Sequence, residues 1–380
     1  MASVTRYETG SGMRWEVRYR TPERGTTRRR GFRTKRDAEA FLVSVEHSKS
    51  VGSYVPPAAG RITVAEVGKV WDAGLSGSPK TQESARSSYR VHVAPRWGGV
   101  AVSAVKAPTV RTWVAELAAG GLGAASIERA LGVLRQILTV AVESGNLAAN
   151  PALSIKPPRR THKARGYLTH RQLDTLATAA GSSRPLVQFL GYSGLRFGEA
   201  AALRVRDVDT TRRRVRVERA VVETGGGMVF GAPKTHQRRS VPYPAFLADE
   251  LGPLLKGKGL DDLVFHGEGG STIRLNNWRR RVFEPAVAEC VAASVTFPRV
   301  TPHDLRHTCA SLSIQAGANV KSVQTALGHS SAAMTLDTYA DLFPDDLEAV
   351  AAALDARRAA DLGATSAGCV QSVSTEDPVV

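Results

Sequence analysis

Apolar and charged residues alternate strictly through Arg14-Trp15-Glu16-Val17-Arg18-Tyr19-Arg20, the two-residue period of a half-buried strand. Pro22-Glu23-Arg24-Gly25 is a turn signal, and a second strand through Thr26 to Phe32 completes a predicted hairpin. Thr34 then offers a side-chain cap. Ala38, Phe41, Leu42 and Val45 follow at the spacing of a helix with one buried face. Residues 1–55 therefore read as a small α+β domain, and Pro56-Pro57 opens a linker over 56–61. From Thr63 the period becomes helical. Thr63-Val64-Ala65-Glu66 is a capping-box pattern, and helices are predicted near 80–93, 109–119 and 126–144. The last carries Ile127, Leu131, Leu134, Ile137, Leu138 and Ala141 in one stripe, with Gly145 at its end and Asn150-Pro151 beyond. Residues 62–152 are expected to form an all-α bundle.

A second linker covers 153–166, with Pro157-Pro158-Arg159-Arg160, Lys163 and Arg165. It reads equally as a solvated tether and as a strip that tracks a phosphate backbone. The third domain, 167–357, opens on the cap pattern Thr169-x-x-Gln172, and a helix is predicted through Pro185 to Leu190. Valines alternate with charges from Arg213 to Val222, predicting one strand. Met228 to Phe230 and Arg239 to Val241 predict two more, around the Gly225-Gly226-Gly227 turn and a loop from Pro233 to Arg238. After Leu263 to His266 the pattern is helical until about 357. This domain is expected to be mainly α with a small antiparallel sheet. Leu347, Val350, Ala351 and Leu354 recur at helical spacing, suited to packing at home or to docking on a neighbouring copy. Residues 358–380 are small and polar and are expected to form a disordered tail.

A chain of 380 residues has room for these three domains. Its net charge of +16 calls for a polyanionic partner, nucleic acid or an acidic membrane surface. No apolar run approaches the ~18 residues of a membrane span, and residues 1–20 have no signal-peptide core, so no membrane partner is expected. Cys290, Cys309 and Cys369 are too far apart for a disulfide framework or a zinc site, which suits a reduced, cytoplasmic protein. Cys309, among apolar residues, is expected in the core. Residues 1–55 hold 12 Lys and Arg against 6 Asp and Glu, a balance of +6, on strands that would either enter a DNA groove or form a solvated face. Residues 345–380 hold 2 basic and 7 acidic residues, or −5, so the basic charge belongs to the body of the protein.

The candidate chemistry lies in the third domain. His303 and Arg306 are i and i+3, and a helix starting at Pro302 would put both on one face beside free N–H groups. Arg196, in Ser193-Gly194-Leu195-Arg196-Phe197-Gly198-Glu199, reads either as a buried phosphate clamp or as half of an Arg–Glu pair. Lys234 falls in a predicted hairpin loop, His329 follows Gly328, and Tyr339 comes ten residues later. Singly, each has an ordinary structural reading. Together they are a set for attacking a phosphodiester: arginines hold the phosphate, histidines move protons or donate hydrogen bonds, and tyrosine supplies an oxygen nucleophile. No acidic cluster has metal-ligand spacing near them, and no Gly-x-x-x-x-Gly-Lys-Ser/Thr loop is present. Neither metal nor nucleotide cofactor is expected.

The order and spacing of Gly-Leu-Arg196-Phe-Gly-Glu, Pro-Lys234-Thr, His303-x-Leu-Arg306-His307, Leu-Gly-His329-Ser and Tyr339 resemble the tyrosine recombinases, the phage-integrase family. The resemblance covers about 165–350. Residues 62–152 look like the family's core-site-binding domain, and residues 1–55 like the arm-site-binding domain of bivalent phage integrases. It implies the tyrosine recombinase fold and a set of roles. Tyr339 would be the nucleophile, forming a 3′-phosphotyrosyl bond and releasing a 5′-hydroxyl. Arg196 and Arg306 would clamp the scissile phosphate, and Lys234 would protonate the departing 5′ oxygen. His303 would assist proton transfer to and from Tyr339, and His329 would hydrogen-bond the phosphate. Glu199 and His307 fall on supporting positions, and Asp341 stands where many relatives carry histidine. The implied partners are double-stranded DNA with core-type and arm-type attachment sites, three further copies in a homotetramer, a host DNA-bending protein and a directionality factor. The implied reaction integrates and excises a phage or other mobile element through a Holliday junction. A chromosome-resolving or transposon recombinase is disfavoured by the separate N-terminal domain, and a type IB topoisomerase by the three-part layout. A non-catalytic DNA-binding regulator is disfavoured by the full catalytic set. Attack in cis or in trans stays open.

Overall fold

The computed structural model describes residues 2–22, 24–160, 166–233, 238–329, 331–339 and 347–367. The chain divides into two compact units, Met1–Lys163 and Ala164–Val380.

The first unit begins with three antiparallel strands, β1 (Ser3–Thr9), β2 (Gly12–Arg20) and β3 (Thr26–Phe32), in the order β1-β2-β3. Helix α1 (Lys35–Ser50) follows, and the Thr34 hydroxyl caps it by accepting the Asp37 N–H at 3.1 Å. Strand β1 has no counterpart in the sequence reading. Its helix-facing side places Val4 against Val17 but Arg6 against Trp15, so apolar alternation never develops. Val17, Tyr19, Ala38 and Val45 form the small core. The pleat sends Arg14, Arg18 and Arg20 of β2 and Arg28 and Arg30 of β3 to the other face. There Glu16 is buried beneath Arg18 and Arg30, at 3.2 and 2.7 Å, and Arg30 lies over the Tyr7 ring.

Helices follow: α2 (Val64–Ala73), α3 (Pro79–Ser88), α4 (Ala94–Trp97), α5 (Ala107–Ala119) and α6 (Ala124–Glu143). The Thr63–Glu66 capping box forms. The helix predicted over 80–93 runs on through Pro95 to Trp97. A π turn over Tyr89–Val93 makes this possible: the Ala94 N–H reaches back five residues to Tyr89, loosening the turn where proline would clash. The α6 stripe is fully buried, against Val64, Trp71, Trp97 and Trp113. Each such Leu or Ile contributes about 1.5–3 kcal/mol.

The second unit contains α7 (His170–Ala179), α8 (Arg184–Ser193), α9 (Phe197–Ala200), α10 (Phe246–Leu255), α11 (Leu275–Trp278) and α12 (Glu284–Ala293). It continues with α13 (Asp304–Gln315), α14 (Val320–Leu327), α15 (Ala332–Tyr339) and α16 (Leu347–Ala367). Strands β4 (Val208–Asp209), β5 (Arg214–Val217) and β8 (Arg239–Pro242) form one sheet in the order β4-β5-β8. Strands β6 (Ala220–Thr224) and β7 (Gly227–Gly231) form a separate hairpin. The predicted single strand Arg213–Val222 thus breaks at Glu218-Arg219, where Arg219 turns to pair with buried Asp207 at 3.4 Å. Alternation of side chains continues across such a change of partner and does not report it.

The core packs α8 against α13, with Val187, Phe189, Leu190, Leu305 and Leu312 in one cluster. The tail expectation is corrected for residues 358–367, which continue α16. This stretch is rich in alanine, and Arg357 pairs with Asp361 one turn on, both favouring helix. Residues 368–380 lie outside the described residues.

Candidate active site

Helix α8 ends at Gly194 in the left-handed conformation, φ 64°. A Cβ there would lie 2.7 Å from Leu327 Cδ2 and 3.1 Å from Cys309 Sγ, so the turn needs glycine. The turn delivers Arg196 to the start of α9. Its main-chain N–H donates to Glu199 Oε2 at 2.9 Å, and its Nη1 donates to Oε1 at 3.0 Å. Glu199 is 2% exposed and carries a second arginine. Arg239 of β8 donates from Nη1 to Oε1 at 3.0 Å and from Nη2 to Oε2 at 2.6 Å.

Arg306, in the first turn of α13, is 3% exposed. That helix begins at Asp304, two residues after the predicted Pro302, and the Asp304 carboxylate accepts the Thr301 N–H and hydroxyl at 2.7 and 2.8 Å. Arg306 donates from Nη1 to the Gly194 carbonyl at 2.7 Å and from Nη2 to the Leu327 carbonyl at 2.5 Å. Arg239 Nε donates to the neighbouring Ala326 carbonyl at 3.2 Å. Two guanidiniums therefore cap the last carbonyls of α14, immediately before Gly328, φ 64°, and His329. A Cβ on Gly328 would press on the Arg239 guanidinium at 3.1–3.2 Å.

Two arginines bond one carboxylate and a third stands near it, and the titration shifts reflect it. Burial pushes the Glu199 carboxyl up, but the bonds and charge of Arg239 and Arg196 outweigh it and hold the group below its usual range. Burial, then repulsion from Arg196, brings Arg306 down to about 10, still protonated at neutral pH. Burial, then repulsion from Arg306, Arg196, Arg239 and His303, brings His329 down to about 4, so its ring is neutral. His329 Nδ1 lies 3.0 Å from the Thr335 hydroxyl. The pocket carries positive charge in excess, the condition for holding an anion.

Tyr339 ends α15 and is 1% exposed. It packs with Ile314, Val323 and Leu327, and its ring lies parallel to His329 at 6.5 Å. Its hydroxyl is 2.6 Å from His307 Nδ1, and His303 meets the His307 ring edge-on at 5.0 Å. The fold thus gathers Arg196, His303, Arg306, His329 and Tyr339 from separate stretches of one unit. Lys234 lies outside the described residues. Among the described residues no group of three or more His, Cys, Asp and Glu could hold a metal, and no helix is long and apolar enough to cross a membrane.

The sequence profile of the phage integrase family matches residues 166–345. The tyrosine recombinase XerC of Mycobacterium bovis (strain BCG / Pasteur 1173P2) is 30% identical over 252 residues, 62% of this chain and 79% of its own length. The chain belongs to the phage integrase family of tyrosine recombinases. This recombinase is a DNA strand-breaking and rejoining enzyme. The integrase of Mycobacterium phage D29 is 28% identical over 325 residues, 81% of this chain and 84% of that protein. Two solved structures share the tyrosine recombinase fold. The Tn1549 transposon integrase in complex with a circular intermediate DNA gives a TM-score of 0.66 at 20% identity, covering 77% of this chain and 99% of that one. A lambda integrase tetramer bound to a Holliday junction gives 0.56 at 17% identity, covering 86% and 95%.

Two features of the recombinase's site escaped the sequence reading. Arg239, on the strand predicted over Arg239 to Val241, had no local mark separating it from Arg238, and only its long-range partner Glu199 distinguishes it. His307 was read as support, yet its ring nitrogen sits on the tyrosine hydroxyl. Cys309 is buried as expected, its thiol pushed up to about 11 by burial, and packs beneath Gly194.

Proposed function

We propose that this recombinase is an integrase that cleaves and rejoins DNA through a 3′-phosphotyrosyl bond on Tyr339. The placement of the Tyr339 ring beside His329, in the same chain's arginine pocket, carries the reading. Arg196 engages Glu199 with one Nη and keeps a quarter of its side-chain surface exposed, room for a phosphate oxygen. Arg306 has five N–H hydrogens and spends two on main-chain carbonyls, leaving donors for a second oxygen. With Nδ1 accepting from Thr335, neutral His329 offers its Nε2–H to the same phosphate. These fixed donors meet the charge that gathers on the equatorial oxygens as the tyrosine oxygen attacks. Lys234 is assigned protonation of the leaving 5′ oxygen; it stands five positions before Arg239, which is tied to Glu199. His303 is assigned a part in proton transfer through its contact with His307. The phosphotyrosine keeps the energy of the broken bond, so a second 5′-hydroxyl reverses the attack without a nucleotide cofactor. Because Tyr339 enters its own chain's pocket, we read the attack as cis.

The arginine face of the N-terminal sheet supports arm-site binding, and the bundle over 62–152 is assigned to the core site. Double-stranded DNA is the proposed partner, held by a homotetramer through a Holliday junction in the cytoplasm of a bacterial host. A DNA-bending protein and a directionality factor are the proposed accessories. The phage integrase match spans 81% of the chain against 62% for XerC, and this with the arginine-faced sheet supports integration over chromosome resolution.

A nicked suicide duplex bearing the attachment sequence tests the reading. The unaltered protein should form a covalent adduct that survives SDS. Tyr339→Phe should bind the same duplex and form none. Absence of adduct from the unaltered protein, or its persistence in Tyr339→Phe, would overturn it.

A further inference from the structure

A tyrosine hydroxyl, with an ordinary pKa near 10, must lose its proton as it attacks phosphorus. Two histidines flank Tyr339 and a third, His303, lies behind one of them, and they are not equivalent. His329 lies parallel to the tyrosine ring with its Nδ1 turned to Thr335, and a ring held neutral to about pH 4 is a weak proton acceptor. His303 meets His307 edge-on. His307 places Nδ1 at 2.6 Å from the Tyr339 hydroxyl, its ring 5.6 Å from the tyrosine ring. In the tautomer with the ring hydrogen on Nε2, Nδ1 accepts the bond from the phenol and faces the proton that attack must remove. His307 follows Arg306 directly on α13, so the residue that holds the phosphate and the residue on the nucleophile share one rigid turn.

We propose that His307 is a further catalytic residue, whose Nδ1 takes the Tyr339 proton during attack and returns it when the tyrosine is expelled. The inference rests on Tyr339 being the nucleophile. In cleavage the bond from Tyr339 Oη to phosphorus forms, the bond from phosphorus to the 5′ oxygen breaks, and the Tyr339 proton passes to His307. The 5′ oxygen takes a proton from the general acid assigned to Lys234. In rejoining every transfer reverses, so no proton is consumed overall. The imidazolium that forms stands beside a phosphorane that has gained negative charge, which offsets it. Among the described residues, Tyr339 on α15 and His303 beside α13 face His307, with Arg306 and the turn bearing His329 around the tyrosine.

The test is single-turnover adduct formation by the full chain on nicked suicide duplexes, one with an ordinary scissile phosphate and one with sulfur as the 5′ bridging atom. Sulfur leaves without needing a proton, so it relieves defects on the leaving-group side alone. His307→Asn keeps an oxygen acceptor near the Nδ1 position but cannot take up a proton. It should bind DNA normally and form adduct about 10²-fold more slowly on both duplexes. The acid limb of the pH–rate profile, present in the unaltered protein, should vanish. Added imidazole should restore part of the rate of His307→Ala. A near-normal rate in His307→Asn, a retained acid limb, recovery on the sulfur duplex or no imidazole rescue would overturn the proposal while leaving the nucleophile intact. Adduct formation by Tyr339→Phe would instead overturn the reading beneath it.

Discussion

Arg239 grips Glu199 with two parallel hydrogen bonds, 3.0 and 2.6 Å long, in a site where both side chains are nearly solvent-free. Glu199 also fixes Arg196, and Arg239 also caps the carbonyl of Ala326. One arginine, forty positions from Glu199 along the chain, therefore positions both Arg196 and the turn that presents His329. Arg239→Gln should destabilise the catalytic unit by about 3 kcal/mol, because a buried carboxylate loses its forked partner. Arg239→Lys, keeping charge but not the fork, should fall between. Urea unfolding followed by fluorescence checks the ranking, and equal stability of all three proteins would count against it.

His329 should stay neutral far below the usual histidine range. Its folded pKa of about 4 is depressed by burial and the surrounding cations, against 6.5 for the free group. An unfolded chain then binds more protons than the folded one as pH falls through this window, so stability should drop from about pH 6.5 towards 4. Glu199, also depressed, adds to the loss as pH falls through its folded value. Histidine NMR titration with and without DNA checks the cause. Bound phosphate should offset the arginines and raise the His329 pKa; an unchanged value would contradict the assigned contact.

The N-terminal sheet should bind DNA through its arginine face. Deleting residues 1–55 should abolish arm-type binding and leave weak core-type binding. Arg18→Ala and Arg28→Ala should each weaken arm binding and reduce the slope of log K against log salt by about 1. Gel shifts across a salt series read both effects, and unchanged slopes would make this a solvated face.

Cleavage should persist in EDTA. The arginines already supply the charge that a divalent ion would bring to the phosphate, and neutral His329 adds a hydrogen-bond donor. Adduct yield with and without chelator decides it, with loss in EDTA contradicting the metal-free scheme.

Much of this was legible in the sequence because it depends on local spacing. The caps at Thr34, Thr63 and Thr169 and the α6 stripe are set by residues within a few turns, and the structure places them as read. Arg196, Arg306, His329 and Tyr339 stood out through motif order, not through any single stretch. What stayed hidden depends on partners far along the chain. Arg239 meets Glu199 across forty positions, and the His307–Tyr339 bond spans thirty-two. Strand β1 showed no apolar period because its outer face is polar and its inner face carries an arginine, and the split of Arg213–Val222 follows from a change of sheet.

The most direct test of the central claim is to map the covalent bond. Adduct trapped on a suicide duplex is trimmed with nuclease, digested with trypsin and read by mass spectrometry. Nucleotide mass is expected on the peptide spanning 322–357, whose one tyrosine is Tyr339. Nucleotide mass on any other peptide, or a trapped complex with no covalent bond, would contradict it.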